Sequence, residues 1–492
     1  MQIKFYLTGL MISFVLAGCV TVTPTQEDSK TIEDTKIDPY LWLEEVEGER
    51  ALSWVREQNA ITLAELHADP RFDQFESEAL AIYEAKDRLV YGKIRGDFIY
   101  NFWRDEVHIR GIWRRSPLQQ YLDGKPVWDV IIDIDALAEA ENENWVYKGV
   151  SGLPPTYNRF LIELSRGGKD AVVVREFDIS TRSFIEDGFY VAEEKSTVSW
   201  INEDQVFVAT DFGPGSMTES GYAASVKVWI RGEDLAESPE LARVDTKDVG
   251  TWGWTVFTAE RNYSLISKSK DFWTHEILLL DENMGTTKIE LPIDADLKGV
   301  WKDQAFAILR SDWMGSSKGS LIALDLASNQ KTNVFVPNTK SSILSVDFSS
   351  SYLLLTIQED VVDKVLRGVL KDNLWVLEDL NLPQGGTIYI NGANPLNDNF
   401  FYTYNDLITP TTLGYFEDAM ADLKVIRQSP ARYDSENLEV NQKFATSKDG
   451  TKIPYFLVSS KDMALDSNNP TLLYGYGGFE VSEKSQYWSK TG

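Results

Sequence analysis

The chain has 492 residues, of which 43% are hydrophobic, 12% aromatic and 25% charged, and this balance excludes a disordered polymer. Its length exceeds what one hydrophobic core ordinarily supports, so at least two globular units are expected. With 76 acidic against 48 basic residues the net charge is -28, which repels polyphosphate and argues against nucleic acid as a partner.

Lys4 is followed by an apolar run over residues 5–16 and then by small residues, the pattern of a secretory signal. The run is shorter than the ~20 apolar residues that a membrane-spanning helix needs. It ends in Leu16-Ala17-Gly18-Cys19, which resembles the bacterial lipobox. Residues 1–19 are therefore expected to be a lipoprotein signal peptide with Cys19 as the lipidation site, and residues 20–37 a polar tether. Cys19 is the only cysteine, so a mature chain would form no internal disulfide. The expected location is the bacterial cell envelope, as an exported lipoprotein facing the periplasm and touching the membrane only through its lipid.

Apolar residues at helical spacing, among them Leu52, Val55, Leu63 and Leu66, predict an amphipathic helix over 49–67. Asp69-Pro70 ends it, and Phe72, Phe75, Ala79, Ile82 and Tyr83 predict a second helix up to about residue 86. This helical part is placed at 38–92.

Beyond it the period changes to short runs rich in Val, Ile, Phe, Tyr and Trp, separated by Gly, Asp, Asn and Ser. Similar units open at Trp145, Ser199, Gly253, Gly299 and Ser342, roughly 45 to 55 residues apart, a period expected of propeller blades. The spacing predicts a β-propeller over 93–434 with no helix interrupting it, a pair of β-sandwiches being the structural alternative. Strands over 440–445 and 452–458 flank Lys448-Asp449-Gly450-Thr451, which predicts a hairpin. A further strand is expected over 471–474, running into the glycine-rich Gly475-Tyr476-Gly477-Gly478-Phe479 as an α/β sheet would begin.

Taken together, these residues resemble the prolyl oligopeptidase family of serine peptidases. The resemblance is carried along nearly the whole chain: Asp38-Pro39-Tyr40-Leu41-Trp42-Leu43-Glu44 at the start, Leu164-Ser165-Arg166-Gly167-Gly168-Lys169-Asp170 within a blade, Leu407-Ile408-Thr409-Pro410-Thr411-Thr412 near the end of the propeller, and most sharply Tyr474-Gly475-Tyr476-Gly477-Gly478-Phe479. It implies a mainly β fold, a seven-bladed β-propeller inserted in an α/β-hydrolase domain whose second part restarts over 435–492 and is incomplete in this chain. It also implies a serine-type oligopeptidase that hydrolyses short peptides after proline or a similar residue, with the propeller gating access.

Such hydrolysis needs a nucleophilic serine, a histidine base oriented by a carboxylate, and donors for the oxyanion. In hydrolase folds the chain order is Ser, Asp or Glu, then His. His67, His108 and His275 all precede the expected hydrolase strand, so none can be the base in its usual place. The triad is thus expected to lie downstream and the chain as it stands to be an inactive fragment. Gly315-Ser316-Ser317-Lys318-Gly319 satisfies the G-x-S-x-G pattern, but β-type runs on both sides make it a hairpin loop rather than a nucleophile elbow. Adjacent acids such as Glu193-Glu194 are expected to be solvated, and no Cys or His cluster offers a metal site, so neither cofactor nor metal is expected. By the resemblance, Tyr476 donates its hydroxyl to the oxyanion and Phe479 walls a pocket for a proline ring. The competing class is a lipid-anchored propeller that binds a partner without catalysis.

Overall fold

The computed structural model describes residues 38–45, 48–372, 374–418, 423–476, 478 and 481–491. The chain divides into two compact units, 87–488 being one, and 3–86 with 489–492 the other.

The smaller unit holds a 3-10 turn (Leu41–Glu44) and two helices, α1 (Glu49–His67) and α2 (Phe72–Tyr83), close to the predicted positions. Trp42 meets Trp54 edge-on at 6.3 Å, and the His67 ring packs against Phe72 at 4.4 Å.

The larger unit is a seven-bladed β-propeller followed by a hairpin. Seven antiparallel sheets, each with four strands in sequence order, occupy 93–133, 145–194, 197–243, 250–288, 296–335, 341–379 and 387–428; the second carries one extra strand. A lone four-stranded sheet cannot bury both faces, and here each face finds the next sheet. Tyr100 and Trp113 of blade 1 pack on Phe160 and Ile162 of blade 2, and Trp301 and Phe306 of blade 5 on Phe348 and Leu355 of blade 6. The ring closes where Ile94, Ile99 and Tyr121 of blade 1 meet Phe401, Leu413 and Tyr415 of blade 7. Among the described residues no strand is shared across that seam.

Among the described residues two short α-helices, α3 (Leu118–Leu122) and α4 (Ile134–Glu141), and a 3-10 turn (Leu235–Glu237) interrupt the β pattern, contrary to expectation. The second has ordinary local causes, since the Asp133 carboxylate accepts from the Ala136 amide at 3.1 Å and Asn142 closes the helix in the left-handed region at φ 51. After the last blade, the strands Leu438–Thr446 and Lys452–Ser460 pair in continuous register from Leu438–Ser460 to Thr446–Lys452 and form the predicted hairpin.

Candidate active site

The segment that carries Tyr476 departs from its predicted conformation. Residues 471–476 form no strand, and Leu472 and Leu473 are 77% and 93% exposed. The composition favours a strand, but a strand needs a neighbour to satisfy its N–H and C=O groups, and the hairpin beside it pairs only with itself. At Gly475 an added Cβ would meet nothing within 4 Å, so this turn is open. The Tyr476 side chain is 43% exposed, and among the described residues its hydroxyl has no hydrogen-bond partner, leaving the donor free. Cys19 and Phe479 lie outside the described residues.

What anchors this segment is a strap over 484–488 that no sequence signal announced. Lys484 Nζ donates to Asp363 Oδ2 at 3.1 Å, and that carboxylate is fully buried on the strand Val362–Lys371 of blade 6, where it also accepts from the Ile388 amide at 3.0 Å. Ser485 is 1% exposed; its carbonyl accepts from Thr387 Oγ1 at 2.9 Å and its hydroxyl oxygen from the Leu407 amide at 3.3 Å. The Tyr487 amide donates to Asn405 Oδ1 at 2.9 Å, its hydroxyl accepts from the Arg432 amide at 2.8 Å, and its ring stacks on Tyr433 at 4.8 Å. Trp488 then meets Tyr474 edge-on at 4.8 Å, two residues before Tyr476. The strap ties the glycine-rich turn to blades 6 and 7 through charge, hydrogen bonds and aromatic contact.

The other residues weighed from sequence fall elsewhere. Ser317 sits in the loop between strands Gln304–Ile308 and Leu321–Asp325, with its hydroxyl 3.3 Å from that of Ser320. His67 ends α1, His275 opens a blade-4 strand with burial lowering its pKa, and His108 lies 2.9 Å from Asp105 in a blade-1 loop. Among the described residues no serine hydrogen-bonds a histidine. Glu193 is not merely solvated, because Arg166 holds it at 3.2 Å. A cavity of about 450 Å³ on blade 2 is lined by Glu141, Glu143, Arg166 and Arg175 among others, with Arg175 2.8 Å from Glu141 and Arg166 2.9 Å from Glu143. None of its lining residues belongs to the segment with Tyr476, and these charges answer one another. Groups of three or more His, Cys, Asp or Glu able to hold a metal are absent among the described residues, and no described helix is long and apolar enough to cross a membrane.

Comparison with known proteins supplies the context for this arrangement. Residues 22–429 match the family model described as prolyl oligopeptidase, N-terminal beta-propeller domain. An uncharacterized peptidase, y4nA, of Sinorhizobium fredii is 35% identical over 98% of this chain and 70% of its own length. The uncharacterized peptidase RP174 of Rickettsia prowazekii is 32% identical over 100% of this chain and 71% of its own. Among solved structures, a post-proline cleaving enzyme from Rickettsia typhi superimposes with a TM-score of 0.79 at 32% identity, over 91% of this chain and 69% of that one. The chain thus spans about 70% of the length of these relatives.

Proposed function

This chain belongs to the prolyl oligopeptidase family, and from that premise we propose that it is the propeller-bearing part of a serine-type oligopeptidase that cleaves short peptides after proline or a similar residue. The observation that carries this reading is the 32% identity, over 91% of the chain, to the post-proline cleaving enzyme of Rickettsia typhi. The free hydroxyl of Tyr476 agrees with it. As the carbonyl of a bound peptide becomes tetrahedral, its oxygen gains negative charge, and a phenol held at an open turn can donate to that charge as it develops. The ring of blades in front of the site admits extended short peptides and holds back folded proteins. Phe479 walls the pocket beside the proline ring.

In this proposal the nucleophile, acid and base lie in the portion by which the relatives exceed this chain, and the 492 residues alone are silent. The test is hydrolysis of a chromogenic Gly-Pro substrate by the 492-residue chain and by the product of the whole reading frame in which it occurs. Turnover is expected only from the latter, and Tyr476→Phe there should lower kcat about 100- to 1000-fold. Full activity in the Tyr476→Phe protein would remove the oxyanion role, and no hydrolysis from the whole product would remove the peptidase reading.

We further propose that Cys19 is lipidated and holds the protein to the periplasmic side of a bacterial membrane. A Cys19→Ala variant is expected to shift from the membrane to the soluble fraction. Unchanged membrane association would refute the anchor.

A further inference from the structure

Blade 1 presents to blade 2 a positive charge that the fold does not neutralise. Lys93 and Arg95 alternate onto one face of the strand Lys93–Arg95, with Tyr100 and Phe98 as their cross-strand partners. Arg95 is 6% exposed, and its guanidinium lies over the rings of Tyr100 and Phe160 at 5.3 and 5.6 Å. Among the described residues its hydrogen bonding is a single 3.3 Å contact from Nη2 to the carbonyl of Val150 in blade 2. A guanidinium offers five N–H donors, so most of this one's capacity is unused. No described carboxylate lies within ion-pair distance of Arg95 or Lys93.

Two part-buried arginines, Arg231 and Arg175, are by contrast answered by acids. Arg231 grips Glu176 at 2.8 and 3.0 Å, and Arg175 holds Glu141 at 2.8 Å. At Arg95 no described carboxylate does the same, and burial penalises the charge. Burial pushes its guanidinium below the ordinary value, and burial followed by repulsion from Arg95 does the same to Lys93, which nevertheless keeps contact with water. The surroundings suit an anion. Blade 2 contributes Tyr147 and Tyr157 within electrostatic reach of Arg95, and burial keeps both phenols protonated and able to donate. The stretch of sequence that carries the two cations, residues 86–115, holds eight basic residues (Lys86, Arg88, Lys93, Arg95, Arg104, Arg110, Arg114, Arg115) against four acidic ones (Asp87, Asp97, Asp105, Glu106), in a chain of net charge -28. Glu163 also acts on Tyr147. It fills the space beside Gly149, where an added Cβ would come within 2.7 Å of its Oε2, and burial raises its pKa, easing the protonation that would end its repulsion of a ligand anion. Lys93–Arg95 is the first strand of blade 1 and forms one edge of its sheet, so one side of it has no strand partner within the blade.

We propose that Arg95 and Lys93 form a carboxylate-binding site where blade 1 faces blade 2, and that it takes the carboxylate of a short peptide. The inference rests on the reading that short peptides are the ligands of this protein. The planar fork of Arg95 meets both carboxylate oxygens, Lys93 adds a second cation, and the interaction stays noncovalent.

The test is calorimetry on the 492-residue chain at low salt with three probes: Ala-Ala-Pro-Ala as the free acid, the same peptide as its C-terminal amide, and Ala-Asp-Pro-Ala amide. The free acid is expected to bind about tenfold or more tightly than its amide. Recovery of that affinity by the aspartyl amide would assign the site to side-chain carboxylates as well, and no recovery would restrict it to the chain terminus. Arg95→Met should abolish the acid-over-amide preference while keeping or raising the melting temperature, because it removes an unanswered buried charge. Arg95→Lys, which keeps the charge without the fork, should weaken the preference. Equal binding of acid and amide to the parent protein, or a preference that survives Arg95→Met, overturns the site and leaves the oligopeptidase reading standing. Binding of none of the three peptides likewise overturns the site, while the oligopeptidase reading stands or falls by hydrolysis with the whole product.

Discussion

The Lys484–Asp363 pair is the most direct place to perturb the strap that holds the glycine-rich turn. Asp363 is fully buried and Lys484 is 14% exposed at the side chain, so this pair is little screened by solvent. Breaking a buried pair by removing one partner costs about 3 to 5 kcal/mol. Lys484→Met should fall near the low end, because Asp363 still accepts from the Ile388 amide and, at 3.3 Å, from Gln358 Nε2. Asp363→Ala should cost more. It also strips the acceptor from the Ile388 amide, and an orphaned buried donor adds about 1 to 3 kcal/mol. The assay is hydrogen exchange at the Tyr487 amide, which the strap protects through Asn405. A local loss of about 3 kcal/mol corresponds to exchange roughly 100-fold faster in Lys484→Met, with blade strands unaffected. In Asp363→Ala the Ile388 amide should accelerate as well. Exchange at Tyr487 that stays within about twofold of the parent in both variants would refute the idea that this pair holds the strap.

Two further outcomes follow from buried and turn carboxylates. Glu176 has a fully buried side chain and accepts from Arg231 and, at 2.9 Å, from the Phe189 amide, so Glu176→Gln should cost about 3 kcal/mol in urea unfolding; Asp204→Ala removes a 75% exposed partner 3.6 Å from the same arginine and should cost less than about 0.5. Equal effects of the two substitutions would refute the role assigned to burial. Asp105 accepts from the His108 and Val107 amides, which hold its pKa down to about 2. A carboxylate depressed in the folded state contributes order that is present above its unfolded pKa of about 3.9 and is lost as pH falls toward 2. Exchange of the Val107 and His108 amides should therefore accelerate beyond the intrinsic pH trend between pH 4 and 2. A flat response there would show that the aspartate does not order this loop.

Much of the ring was legible in the sequence, because alternating apolar residues and Gly-rich turns are local signals. Blades 2 to 6 announce themselves through Trp145, Trp200, Trp254, Trp301 and Ile343 at similar intervals. Blades 1 and 7 are less distinct in the sequence, since the first carries five arginines within residues 93–133 and the last is interrupted by Asn and Pro. The helix α4 was legible in principle, through its Asp133 cap and the Ile134, Leu137 and Ala138 spacing, but a β-rich neighbourhood hid it. Residues 471–474 show the opposite error, a strand-like composition without a neighbour to pair with. The strap could not be found locally at all. Val481 to Trp488 has no period, and its partners Asp363, Thr387 and Asn405 are brought to it only by the finished ring. Arg95 likewise looks like an ordinary strand residue until burial shows that nothing answers its charge.

The seam between the first and last blades bears on the order in which the molecule assembles. Arg427 donates to the Tyr121 carbonyl at 3.3 Å across 306 residues of chain. Had that contact to form first in an unfolded chain, closing the loop would cost about 5 kcal/mol of chain entropy before any blade repaid it. Blades, by contrast, are made of neighbouring hairpins with small loops to close. Folding should therefore proceed blade by blade and seal at Tyr121 and Phe401 last. Until that moment two apolar edges face water, so this seam is where a crowded or overheated preparation would begin to aggregate.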